Sequence, residues 1–136
     1  NMAFIEWSDS LSVGIKQIDD QHKKLVSMVN GLYEAMKAGK GNDALGSLLS
    51  ELISYTKQHF SIEENLMTKH AYPAFKDHKA EHEKLTAKVI EFDSQFRAGK
   101  AAMTIQISAF LKDWLTGHIL GTDKMYAPFF ASKGLK

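Results

Sequence analysis

The sequence has 136 residues, of which 44% are hydrophobic and 24% charged, and 17 Lys and Arg balance 16 Asp and Glu to a net charge of +1. These values are typical of one soluble globular domain and exclude a mainly disordered chain. We expect no nucleic-acid partner, because there is no basic excess, and no membrane insertion, because no apolar run spans a bilayer. The absence of cysteine excludes disulfides and thiolate metal sites, and it fits a reducing compartment, so we expect a cytoplasmic location.

The first half of the chain predicts an arm and two helices. Residues 1–18 show no sustained period and are predicted to pack as an arm on the rest of the protein. Asp19 is a suitable N-cap, so the first helix is predicted over 19–38, with Gly39 ending it. Apolar residues at intervals of three and four predict the second helix over 42–69.

The second half predicts two further long helices and a short one. The third helix is predicted over 73–98, with Pro73 at its first position. The fourth is predicted over 102–120, where Gly121 interrupts it, and a short terminal helix over 122–130. Four amphipathic helices joined by short loops predict an all-α, up-down-up-down four-helix bundle. A single long helical hairpin fits less well, because three turn signals divide the chain evenly.

Histidines are concentrated on the predicted inner faces. One histidine on an apolar face is more often hydrogen-bonded in a core than bound to a metal. The spacing strengthens the interpretation as metal ligands for two pairs of residues. Residues four apart lie about 40° from each other around a helix and can therefore reach one ion. The second helix has such a histidine–glutamate pair and the third such a histidine pair. Five of the six histidines lie on inner faces: His22, His59, His78, His82 and His118.

Two carboxylates accompany these histidines. Glu63 lies four residues after His59 and faces inward, whereas Glu64 lies about 140° round the helix from that histidine. Asp123 lies five residues after His118, which requires the helix to open or end near Gly121. In an up-down bundle all seven side chains fall near the same end. Burying them without partners would cost several kcal/mol, so the pattern predicts a metal site.

The number of ligands indicates two metal ions. Seven side chains are too many for one tetrahedral zinc and suit two six-coordinate ions that share bridging carboxylates. Nitrogen-rich ligation without thiolates favours iron, with manganese, cobalt or zinc as substitutes. With two bridging carboxylates and a bridging oxygen, three histidines complete one iron. The other two leave the second iron one open position, where a small molecule such as O2 would bind.

The complete set of residues resembles the hemerythrin signature over nearly the whole chain. The resemblance includes Val13-Gly14-Ile15 and the segment from Ile18 to Lys23, which are typical of bacterial hemerythrin-like domains. It implies that His78, His82 and His118 complete one iron, that His22 and His59 hold the open one, and that Glu63 and Asp123 bridge them. It also implies an apolar O2 pocket formed by Phe60, Trp114, Leu115 and Ile119.

The resemblance implies reversible O2 binding without catalysis. Asn1 precedes Met2, which we interpret as a tag residue or the start of a domain cut from a longer protein. The leading hypothesis is an O2- or redox-sensing domain, similar to the one at the C-terminal end of a methyl-accepting chemotaxis receptor. The alternative is a free-standing carrier or store of O2. A diiron oxidase or peroxidase is disfavoured, because bundle oxygenases use carboxylate-rich sites. A structural bundle that binds nothing is the remaining alternative.

Overall fold

The computed structural model describes residues 4–99 and 105–136, which are helical and contain no β-strand. A 3-10 turn at Asp9–Leu11 precedes the helices. The helices are α1 (Lys16–Lys37), α2 (Asn42–Lys69), α3 (Phe75–Arg97), α4 (Ile105–His118) and α5 (Lys124–Ser132), and a π-helical turn at Ile119–Asp123 joins the last two.

The four long helices form the predicted all-α bundle. Helix α1 packs against α2 and α4, and α2 packs against α3. Each long helix has an apolar face toward the common core, as its spacing of three and four residues requires. Within the described residues, no helix is both long and apolar enough to cross a membrane.

Two apolar clusters fill the interior. The larger runs through the body of the bundle and includes Leu25, Phe60 and Ile119, whereas the smaller lies at one end and includes Met67 and Phe130. Along α1, α2 and α4–α5, the polar inner residues fall between members of these two clusters in the sequence. The polar site is therefore closed by apolar side chains on both sides along the bundle axis.

The described part of the N-terminal arm packs on the bundle as predicted. The ring of Phe4 stacks on that of Tyr33 with centroids 4.0 Å apart. The Asn30 side chain accepts a hydrogen bond from the Ile5 backbone N–H at 2.7 Å and donates one to the Ile5 carbonyl at 2.9 Å. These contacts hold the arm against the outside of α1.

Helix α1 begins at Lys16, three residues before the predicted start. Asp19 is not the N-cap, because its own N–H donates to the Ile15 carbonyl at 2.8 Å, inside the first turn. Its carboxylate instead reaches back and accepts a hydrogen bond from the Val13 N–H at 2.8 Å. Asp19, although aspartate is typical of N-caps, therefore binds the arm from within the first turn of the helix.

The connection between α2 and α3 differs from the prediction at Pro73. Helix α2 coincides with the predicted range. Two residues after its end, Ala71 lies in the left-handed region, at φ 56°. The Tyr72 N–H then donates to the Met67 carbonyl at 2.8 Å, which is the closing bond of a Schellman motif. Because the Tyr72 carbonyl accepts from the Phe75 N–H, Pro73 lies in a turn and α3 starts two residues later.

The C-terminal part of the chain also departs from the predicted boundaries. The predicted start of the fourth helix, 102–104, lies outside the described residues. The interruption predicted at Gly121 is wrong, because the π-helical turn carries the backbone continuously from α4 into α5. The terminal helix accordingly spans Lys124–Ser132, shifted by two residues from the prediction of 122–130.

Ala71 offers a direct test of the connection. An L-residue in the left-handed conformation costs roughly 1–2 kcal/mol relative to glycine, so Ala71→Gly is expected to raise the free energy of unfolding by about 1 kcal/mol in denaturant titrations. Gly39→Ala is the opposite control, because Gly39 has a φ of 74° and should lose stability. An unchanged or lower stability of Ala71→Gly would contradict the left-handed assignment.

Candidate metal centre

The structure brings all seven predicted ligand side chains into one buried cluster. The least buried of them, His118, is 6% exposed, and Glu63 and Asp123 are fully buried. Helix α1 supplies one histidine, α2 a histidine and a glutamate, α3 two histidines, and α4 with the following turn a histidine and the aspartate. The sixth histidine, His70, is not part of this cluster.

The ligand atoms divide into two overlapping groups, in each of which they lie within 4.8 Å of one another. One group contains three histidines and the other contains two, and both carboxylates belong to each group. The first consists of His78, His82 and His118 with Glu63 and Asp123, and the second of His22 and His59 with the same carboxylates. This is the geometry of two adjacent cation positions with shared carboxylates.

Each carboxylate directs one oxygen toward each histidine group. Glu63 Oε1 lies 3.2 Å from His82 Nε2, while its Oε2 lies 3.4 Å from His59 Nε2. Asp123 Oδ1 lies 2.9 Å from His78 Nε2, while its Oδ2 lies 3.1 Å from His22 Nε2. A carboxylate oriented in this way can bridge two ions.

The π-helical turn explains how Asp123 joins the cluster. In an α-helix, residues five apart point about 140° from each other. A π-turn pairs residues five apart, so His118 and Asp123 come to lie on the same side. Gly121 within this turn has neither a positive φ nor any atom within 4 Å of where a Cβ would lie. The helix therefore opens near Gly121, as the position of Asp123 required, but the hydrogen-bond pattern and not a special glycine conformation accommodates the extra residue.

Outer side chains hold three of the histidine rings. The Nδ1 of His59 lies 2.6 Å from Gln21 Oε1, and that of His82 lies 2.9 Å from Glu64 Oε2. The Nδ1 of His118 lies 3.0 Å from Glu81 Oε1. In each ring the Nε2 faces the cluster, as metal-binding histidines require, and those of His82 and His118 lie 3.2 Å apart.

Two hydroxyl groups extend this outer layer. Thr122, in the π-turn, donates to Glu81 Oε1 at 2.7 Å. Tyr126 is fully buried and donates a short hydrogen bond to Glu63 Oε2. Burial, together with the neighbouring Glu63 and Asp123 carboxylates, raises the pKa of Tyr126 well above its usual value, so the phenol stays protonated and keeps Glu63 in place.

Sequence reasoning did not find these outer residues. Gln21, Glu64 and Glu81 each lie next to a predicted ligand in the sequence, which was the available signal. Each contacts a ligand on a different helix, however, and spacing along one helix cannot show such a contact. Glu64 in particular was interpreted only as the carboxylate that points away from the site.

The donor set is suited to a cation. Most buried polar atoms in proteins have hydrogen-bond partners, yet several polar atoms that face this cluster have none among the described residues. They are His22 Nε2, His59 Nε2, His78 Nε2, Glu63 Oε1 and both Asp123 carboxylate oxygens. Imidazole nitrogens with carboxylate oxygens, and no thiolate, suit iron. The cluster fits a diiron site.

Protonation can satisfy part of the cluster when no metal is bound. Burial disfavours the charged form of His22 and His118, but the nearby Asp123 and Glu63 carboxylates outweigh it and raise both pKa values from 6.5 to about 9. The pKa of Glu63 stays well below its usual range, because the surrounding histidines outweigh its burial. Two imidazolium charges then balance two carboxylates.

A small cavity adjoins the two-histidine group. Its volume is about 10 Å³, counted as the space open to the centre of a water molecule, so it has room for about one molecule of that size. Both histidines of that group, His22 and His59, line it, as does His118 of the other group. The remaining lining includes all four residues of the predicted apolar pocket: Phe60, Trp114, Leu115 and Ile119. Phe60 also stacks on His82, with ring centroids 3.8 Å apart.

Gly121→Ala tests the account of the π-turn. Because the position is exposed and has ordinary backbone angles, the variant should bind as much metal as the parent chain and gain up to about 1 kcal/mol in stability. Asp123→Ala, which removes the carboxylate that the turn positions, should lose metal in the same assay. Metal loss in Gly121→Ala, measured by elemental analysis, would contradict the account.

The pKa values of His22 and His118 predict how the metal-free protein responds to pH. Since these values are raised, protonation stabilises the fold below about pH 6.5, and this stabilisation is lost as the pH rises toward 9. The Tm of the metal-free protein should therefore fall over that range. Near neutral pH, metal uptake should release about two protons, measurable by calorimetry in buffers of different ionisation enthalpy. A Tm that rises from pH 6.5 to 9 would contradict this assignment.

Comparisons with known proteins agree with the site. Residues 13–130 match the model of the hemerythrin HHE cation-binding domain. Bacteriohemerythrin from Methylococcus capsulatus is 37% identical over 128 residues, which cover 93% of this chain and 97% of that protein. Bacteriohemerythrin from Stenotrophomonas maltophilia is 36% identical over 93% of this chain and 81% of its own length.

Solved structures give the same result. The crystal structure of wild-type hemerythrin aligns with a TM-score of 0.86 and 37% identity, covering 93% of this chain and 97% of that one. With this fold, a buried cluster suited to two metal ions, and a family match over most of its length, the chain belongs to the hemerythrin family.

Proposed function

We propose that the protein binds O2 reversibly at two iron ions. His78, His82 and His118 would hold one ion, His22 and His59 the other, and Glu63 and Asp123 would bridge them. The observation that carries this proposal is the unequal division of histidines. With one histidine fewer, the ion held by His22 and His59 would keep a position for a ligand, and both of these histidines line the small cavity. When bound, the iron pair supplies the electrons for reversible O2 binding.

The chain itself contributes a dry and closed environment. Apart from the histidines, the cavity is lined by Leu25, Leu85 and the four apolar or aromatic residues proposed for the O2 pocket. Among the described residues, no carboxylate lines it. Excluding water and proton donors from the cavity slows side reactions of a reactive ligand and favours release of O2 unchanged.

Binding rather than turnover is the role that the donor set favours. Five histidines accompany only two carboxylates, and the outer residues hold the rings in fixed positions. The alternative, a free-standing carrier or store of O2, is equally well supported, since the Methylococcus relative is named a bacteriohemerythrin and is matched over 97% of its length. The chemotaxis-receptor role and the cytoplasmic location stay predictions, and nothing in the comparisons favours the receptor.

Ile119→Glu tests the O2 pocket. A carboxylate at this fully buried cavity position would place a ligand or proton source beside the open coordination site. The variant should retain two irons per chain but lose the reversible optical change on exposure to air. Leu120→Glu is a matched control, because Leu120 is 49% exposed and should leave the optical change intact. An unchanged O2 response in Ile119→Glu would show that the pocket lies elsewhere.

His82→Ala tests the site independently of the pocket. The variant loses the contact between His82 and Glu64, and the three-histidine position would have one ligand fewer. Iron content should fall below two per chain, and full occupancy would count against the proposed ligand set.

A further inference from the structure

The outer contacts of the histidine rings follow one another around the bundle. Gln21 on α1 contacts His59 on α2, Glu64 on α2 contacts His82 on α3, and Glu81 on α3 contacts His118 on α4. Each outer residue directly precedes or follows a cluster residue of its own helix. It precedes that residue on α1 and α3 and follows it on α2, as expected for helices that alternate in direction.

This series stops between α4 and α1. By the same rule, the next outer residue would follow His118 or Asp123. Ile119 offers no polar atom to a neighbouring ring, and the Lys124 ammonium donates to the Ser10 carbonyl at 2.9 Å. The Nδ1 of His22 is buried and has no hydrogen-bond partner within residues 4–99 and 105–136. Ile119 and His22 both line the small cavity, so the series is interrupted where the cavity lies.

The interruption makes the two metal positions unequal. In the three-histidine group, two rings face carboxylates, Glu64 and Glu81, which strengthen the donor character of the opposite nitrogen. In the two-histidine group, His59 faces the neutral amide of Gln21, and His22 faces no partner among the described residues. Tyr126 adds to the difference, because its hydrogen bond withdraws electron density from Glu63 Oε2, the oxygen nearer to the two-histidine group.

We propose that Gln21, Glu64 and Glu81 are positioning residues that set different affinities for the two ions. The three-histidine position is the tighter one, and the two-histidine position fills last and empties first. The arrangement keeps a coordination position accessible beside the cavity while the neighbouring ion stays firmly bound. This inference rests on the proposed diiron site and adds an order of binding to it.

The test uses the folded, metal-loaded chain with Zn²⁺ as a redox-inert probe and a chelator in increasing concentration. The parent chain should release its ions in two separated steps. Glu81→Gln should weaken the tighter step by about 10- to 100-fold and leave the looser step in place. Glu83→Gln is the matched control, because it removes an exposed carboxylate two residues away on the same helix and should change neither step.

Gln21→Glu is expected to increase the affinity for metal, a result that misfolding cannot produce. A carboxylate opposite His59 should tighten the looser step by about 10-fold or more and leave the tighter one nearly unchanged. The inference is overturned if Gln21→Glu moves neither step or moves the tighter one, or if the parent chain releases both ions together. In those outcomes the chain still binds two ions and O2 can still be tested, whereas a parent chain that binds no metal would overturn the proposed function itself.

Discussion

The interior of this bundle is constrained by the burial of five histidines and two carboxylates at one level. Such groups are stable in a protein core only when they are paired with charge or coordinate a metal. Here they face one another at about 3 Å across helices, and several of their atoms lack hydrogen bonds among the described residues. A pair of cations satisfies the whole set at once. All four long helices contribute side chains to this set, the last together with the π-turn that follows it.

The two apolar clusters enclose this buried site. One cluster fills the body of the bundle, and the other, built from the arm, α2 and α5, closes its end. Between them the site is shielded from water, which strengthens each electrostatic contact, and a small cavity with mainly apolar walls adjoins His22 and His59. The position held by His22 and His59 has fewer histidines, lacks one of the outer hydrogen bonds and adjoins the cavity. The asymmetry needed for binding one small molecule is thus present in the protein before any ion is considered.

Most of the fold and the composition of the cluster could be predicted from sequence because each depends on periodicity within one helix. The pair His78 and His82 and the pair His59 and Glu63 follow directly from four-residue spacing. The five-residue step from His118 to Asp123 showed that the helix must open or end near Gly121, but it could not show that a π-turn does this, and glycine was wrongly taken as the cause. Gln21, Glu64 and Glu81 were missed because their contacts join neighbouring helices. The start of α1 was misplaced because Asp19 resembles a cap but binds the arm backbone from inside the helix.

The central claim is that the cluster holds two irons which bind O2 reversibly. The most direct test measures iron content together with optical spectra of the purified chain, first without O2, then in air, then after O2 is removed. The account predicts two irons per chain, a colourless reduced form, and an absorption band that develops in air and disappears when O2 is withdrawn. A chain that takes up no iron after reconstitution, or one whose iron oxidises in air without a reversible band, would contradict it.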